Sequence, residues 1–163
     1  MKRIFILLAA ILLVGCEYTT PLVTTPDILI DKSLLGLWQM KEDDGKITQM
    51  AVLPLDDKEY LVSYPPAAKD GMFFKACLCR TDGKTLVQLK LIGAADGNTP
   101  DDNRLYRFAS YSISGDKLAV SFLNPDVVNE NAASSKELAK LIADNRDNPK
   151  LFKEPAVFVK ISK

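Results

Sequence analysis

No histidine occurs in this 163-residue sequence. Its absence removes Ser-His-Asp and Cys-His catalysis, imidazole general-base chemistry near neutral pH and every His-ligated metal site. An excess of either charge is missing too, because 21 basic residues are matched by 21 acidic ones. Without net positive charge nothing steers the chain towards polyanions, and no nucleic-acid partner is expected. Cysteine and tryptophan are sparse, at three and one. What is present is ordinary for a folded chain, with 47% hydrophobic and 26% charged residues, so disorder along the whole length is excluded. The length fits one domain.

The first residues are an address. Lys2 and Arg3 precede eleven consecutive apolar residues, Ile4 to Val14, and then come Gly15 and Cys16. As a helix the apolar run would span roughly 16 Å, about half of a bilayer's hydrocarbon core, so it is too short for a permanent anchor. A basic start, a short apolar core and small residues before a cut make a secretory signal peptide over residues 1–15.

Leu13-Val14-Gly15-Cys16 resembles the lipobox of bacterial lipoproteins. The resemblance implies that Cys16 is the lipidation site: it takes a thioether-linked diacylglycerol, becomes the new N-terminus and is acylated on its amine. Several acyl chains at about 0.8 kcal/mol per buried methylene hold a protein durably, where a single chain would be marginal. In the sorting pattern of enterobacterial lipoproteins an Asp after the cysteine favours the inner membrane, so Glu17 implies the outer membrane, periplasmic side. Cleavage removes Lys2 and Arg3 and leaves 19 basic against 21 acidic residues, so lipid rather than a basic patch must provide the membrane contact.

Residues 16–27 read as the lipidated cysteine and a flexible tether, because two prolines and four threonines break any helical or strand period. The remaining stretch, 28–163, is long enough for a sizeable core without disulfide staples. It is a series of short apolar segments parted by turn chemistry, the pattern of an antiparallel meander. Eight strands are predicted: Leu37 to Glu42, Lys46 to Leu53, Glu59 to Tyr64, Met72 to Arg80, Thr85 to Ile92, Arg104 to Ile113, Lys117 to Leu123 and Ala156 to Ile161. Asp43-Asp44-Gly45, Thr81-Asp82-Gly83 and Ser114-Gly115-Asp116 carry the residues that tight hairpins need. Alternation of Val87, Leu89 and Leu91 against Leu86, Gln88 and Lys90 puts one face inside. Met72 to Leu78 is apolar on both faces apart from Lys75, so its outer side is expected to be covered.

One helix is predicted before the last strand. Ser134 and Glu137 form a capping-box pattern, Leu138, Leu141 and Ile142 share one face, and Asn148-Pro149 marks the stop. It should lie outside the sheet, over the Met72 to Leu78 strand.

Gly36-Leu37-Trp38 opens the first strand, seven more strands follow, and the helix precedes the last. In this the chain resembles the lipocalins and related calycin barrels, where a Gly-x-Trp motif starts the first strand and a late basic residue stacks on the Trp. The resemblance implies a mainly β fold, an eight-stranded antiparallel up-and-down barrel, with Gly36, Trp38 and Lys160 closing one end. It also implies a small apolar or acyl ligand inside. The family's Thr-Asp-Tyr turn is absent: Thr81-Asp82-Gly83 comes too early and lacks the aromatic.

Cys77 and Cys79 sit two apart on a strand, on the same side at about 7 Å, too constrained for a disulfide between them. A soft-metal dithiolate or a redox pair are the functional readings; two thiolates without a third ligand make no zinc site, so no metal is expected and two small core residues are the favoured reading. Asp96 to Asn103 is rich in oxygen ligands but lacks the EF-hand spacing. Together these features lead to an expectation of a lipid-anchored envelope lipoprotein, without enzymatic chemistry or cofactor, that binds a small apolar ligand. The alternative is a structural or interaction lipoprotein with a filled barrel that contacts an envelope partner. An interior void of roughly 300 Å³ or more separates the two.

Overall fold

The computed structural model describes residues 18–65, 71–98 and 103–161. The signal segment 1–15, Cys16, and Thr99 to Asp102 of the acidic loop lie outside the described residues. Eight strands form the body: β1 (Gly36–Lys41), β2 (Ile47–Pro54), β3 (Glu59–Tyr64), β4 (Met72–Thr81), β5 (Lys84–Ala94), β6 (Tyr106–Ser114), β7 (Lys117–Phe122) and β8 (Ala156–Lys160). Each pairs antiparallel with the next, and β8 closes on β1 through Trp38 opposite Lys160 and Gln39 opposite Val159, giving a closed barrel in sequence order. The fold is the expected mainly β, eight-stranded up-and-down barrel with one helix before the last strand.

Local chemistry accounts for the corners and the entry. Asp82 and Gly83 both take positive φ, 49° and 74°, so the Thr81 to Lys84 hairpin turns in the hand that matches strand twist. Gly36 enters β1 at φ 133°, where a side chain would be strained. Alternation then sends Trp38, Val62, Phe74, Leu118 and Phe158 inward to one apolar core.

The single helix among the described residues is α1 (Ser135–Asp144). The Ser134 hydroxyl accepts from the Glu137 amide at 3.2 Å, and the Glu137 carboxylate reaches back to the Ala133 amide at 2.8 Å. The helix ends at Asp144, before the expected stop at Asn148-Pro149, because Asn145 caps it: its side-chain amide donates to the Leu141 carbonyl at 2.9 Å. Leu138 and Ile142 are buried on the outside of the barrel with Cys79 and Leu86. Thr81 Oγ1 donates to the Ala139 carbonyl at 3.5 Å. The helix therefore covers the Cys79 to Thr81 end of β4 rather than the whole of Met72 to Leu78.

The expected tether is corrected most. Residues 18–27 do not stand away from the domain but lie along the outer wall of β4 to β6 as a strap. Tyr18 is buried, exchanges two backbone hydrogen bonds with Tyr106 at 3.1 and 3.0 Å, and donates its hydroxyl to the Val128 carbonyl at 3.2 Å. Thr20 Oγ1 donates to the Ala132 carbonyl at 2.7 Å. The prolines and threonines do keep the segment extended, as its composition dictates. Docking follows because Tyr18, Leu22 and Val23 are apolar enough to join a second core, and Gln88 satisfies the backbone that the strap brings with it.

Candidate functional site

Four places in the barrel carry chemistry, and the closed end is the most fully bonded. The 3₁₀ turn Lys32–Leu34 plugs it, with Leu34 buried. Trp38 is fully buried and its indole N–H donates to the Leu34 carbonyl at 2.9 Å. Lys160 Nζ stands 4.9 Å from the Trp38 ring centroid and donates to the Ser33 carbonyl at 3.3 Å. Gly36, Trp38 and Lys160 are thus brought together at this end. Sequence pattern does not reveal the polar triad above them: the Asp31 amide donates to the Tyr60 hydroxyl at 2.6 Å, and the Tyr111 hydroxyl donates to Asp31 Oδ2 at 3.1 Å. Hydrogen bonds from Ser33 hold the Asp31 carboxyl below its usual range, while burial beside that carboxylate pushes the Tyr111 phenol up to about 12. These groups are locked in fixed protonation states at neutral pH, which suits closure rather than proton transfer.

Among the described residues, two small voids lie in the barrel interior. They adjoin each other at about 40 and 70 Å³ and share Met50, Val62, Leu89, Val120 and Phe122 in their walls. Arg107 is buried at the other end of this interior, its guanidinium carbon 5.7 Å from the Phe74 ring and 5.8 Å from the Phe122 ring.

Cys77 and Cys79 face outward, not into the barrel, and both are buried as free thiols. Gln88 Nε2 donates to Cys77 Sγ at 3.8 Å, and Cys79 Sγ donates to the Leu86 carbonyl at 3.6 Å. Burial is the main cause that pushes the Cys77 thiol up to about 11 and the Cys79 thiol up to about 12. Neither is a thiolate near neutral pH, so neither is a poised nucleophile or a ready metal ligand. Among the described residues no three Cys, Asp or Glu side chains converge on a metal position.

The fourth place is a groove of about 220 Å³ between the strap and the outer wall, and it mixes polar and apolar groups. Lys75 on β4 forms an ion pair with Glu59 at 2.8 Å and stands directly across from Lys90 on β5, whose Nζ lies 5.9 Å from the Tyr106 ring. Beside them, across from Cys77, the Gln88 amide is held by the strap: its Oε1 accepts from the Leu22 and Val23 amides at 2.7 and 3.1 Å, and its Nε2 donates to the Val23 carbonyl at 2.9 Å. No sequence pattern pointed here, because the groove exists only once residues 18–27 dock. Gln88 sits with Lys90 on the outward face of β5, where a polar residue reads as ordinary alternation.

Comparison of the chain with protein-family models, with curated proteins and with solved structures gives no match. The class that the geometry defines is a closed eight-stranded antiparallel up-and-down barrel, plugged at the Trp38 end and consistent with a lipocalin-like barrel.

Proposed function

We propose that this chain is a lipid-anchored lipoprotein of the bacterial envelope, on the periplasmic side of the outer membrane, that works without enzymatic chemistry of its own. In this reading Cys16 carries the acyl chains, the barrel is a filled scaffold, and its outside meets an envelope partner. The observation that carries the scaffold reading is the size of the interior voids, about 40 and 70 Å³, against the 300 Å³ or more of an ordinary ligand pocket. The anchor reading is supported by the basic start, the short apolar run and the lipobox-like end of the leader.

A second reading keeps a small apolar or acyl ligand inside the barrel. It is favoured by Met40 and Met50 in the void walls, since unbranched thioether side chains repack readily around a guest. Native mass spectrometry of protein extracted from its own host's membranes tests both parts at once. The expected species starts at Cys16, carries the mass of acyl chains, and holds no apolar ligand. An unmodified N-terminus would overturn the anchor, and a co-purifying lipid or apolar guest would overturn the filled scaffold in favour of the second reading.

A further inference from the structure

We propose that the strap is a latch over the Cys77 thiol: docked, it keeps that thiol from reacting with low-molecular-weight disulfides, and a mixed disulfide at Cys77 in turn holds the strap off the barrel. Gln88 couples the two. Its Oε1 accepts from the Leu22 and Val23 amides, and its Nε2 donates both to the Val23 carbonyl at 2.9 Å and to Cys77 Sγ at 3.8 Å. One side-chain amide, with two donors and an acceptor, thus clamps the strap and touches the thiol. Cys77 stands directly across from Gln88 on the outward face of β4, yet it is only 4% exposed. The groove that reaches it is walled on the strap side by Val23, Thr24 and Pro26. Cys79, two residues on, lies instead in the second core with Leu138 of α1, outside the lining of that groove.

The surroundings keep the thiol quiet while the strap is docked. Burial is the largest cause that pushes it up to about 11; Glu59 on β3 and Asp27 at the end of the strap add to the rise, and Lys75 opposes it. Undocking removes Asp27 and admits water, so the thiolate becomes accessible in both senses at once. The thiolate then attacks one sulfur of a disulfide. A new S–S bond forms at Cys77, the S–S bond of the reagent breaks, and its second half leaves as a thiolate that takes up the proton Cys77 gave away. An adduct of tripeptide size cannot be housed in about 220 Å³, which is below the roughly 300 Å³ of an ordinary ligand pocket, so the strap cannot close over it. The coupling is reciprocal: the factor by which docking disfavours the adduct is the factor by which the adduct disfavours docking. The latch uses neither the lipid anchor nor the contents of the barrel interior.

Purified mature protein incubated with glutathione disulfide, with the adduct on each cysteine followed by peptide mass spectrometry, tests the forward arm. Cys77 should react slowly in the parent and at least fivefold faster in Gln88→Ala. Tyr18→Ala, which loosens the strap through its buried end rather than beside the thiol, should speed Cys77 as well. Cys79 should stay unmodified over the same period in all three. Hydrogen exchange of the purified Cys77 adduct tests the reverse arm: the Leu22 and Val23 amides should exchange at least tenfold faster, with Val62 and Leu118 unchanged, and Cys77→Ala treated in the same way should show no change. The proposal is overturned if Cys77 reacts at one rate in the parent and both variants, if Cys77 and Cys79 react together, which would mean opening of the whole barrel, or if the adduct leaves Leu22 and Val23 exchanging as before.

Discussion

The outer wall of β4 to β6 and the outer wall of β8, β1 and β2 belong to one closed ring, yet their side chains have opposite fates. On the first, Cys79, Leu86 and Phe108, which belong to the second core, are 0%, 1% and 1% exposed, while Ile92 outside that core is 52% exposed. On the second, Ile47, Leu53 and Val157 remain 58%, 51% and 46% exposed. Both walls carry outward apolar side chains, so the difference comes from the chain outside the ring. Residues 18–27 and the connection from β7 to β8 both return to the first wall, and Tyr18, Val128, Ala132 and Leu138 complete a second core there. An outward position on a barrel becomes core only where another segment supplies the other half of the packing. The inner core is enclosed by the ring itself and should open only with it. The outer core is closed by the strap and can open on its own.

The sharpest way to break this comparison is at the inner core. Trp38→Ala should cost about 3–5 kcal/mol, since it empties the plugged end and strips Lys160 of its ring partner. Denaturant unfolding followed by strap and barrel probes together should shift as one transition. Separate transitions would show that the ring does not hold the two regions together. At the outer core Gln88→Ala should cost roughly 1–2 kcal/mol, because three hydrogen bonds to the strap are lost while the strap's backbone can turn to water. Hydrogen exchange should speed up at Leu22 and Val23 and stay unchanged at Val62 and Leu118. Uniform acceleration would mean that the two cores are not separable.

The smallest effect is a pH dependence of the outer core alone. The Cys77 thiol keeps its proton up to about 11 when folded, against an ordinary 9.0, so above pH 9 the unfolded chain gives up its proton first. Its contribution to stability is complete below pH 9 and is lost as pH rises towards 11. Between pH 9 and pH 10 a Cys77→Ala variant should therefore lose about 1 kcal/mol less stability than the parent. Equal slopes would place Cys77 in a wetter setting than its burial implies.

The ring was legible because barrel strands carry their own instructions. Alternation such as Leu118, Val120 and Phe122, together with Asp82-Gly83 at a hairpin, is local chemistry that needs no distant partner. Trp38 and Lys160 were paired by resemblance, and the register across β1 and β8 brings them together. The strap was not legible, since Tyr18 finds Phe108 and Val128 only across about a hundred residues of sequence. Pro and Thr dictate an extended chain, but extension is shared by free tethers and docked straps, and only the apolar wall decides between them. The groove inherits that difficulty: Lys75, Lys90 and Glu59 read as ordinary surface charges until a segment from far upstream lies alongside them.

The docked strap also sets how far the domain can roam. If Cys16 holds the lipid, the chain is pinned to the barrel at Tyr18, only two residue steps away, which limits the leash to about 7 Å. Freed as far as Asp27, the same chain would reach about 38 Å. Release of a few hydrogen bonds around Gln88 and Tyr106 would thus change the working radius of the barrel about fivefold, without any change in the barrel itself.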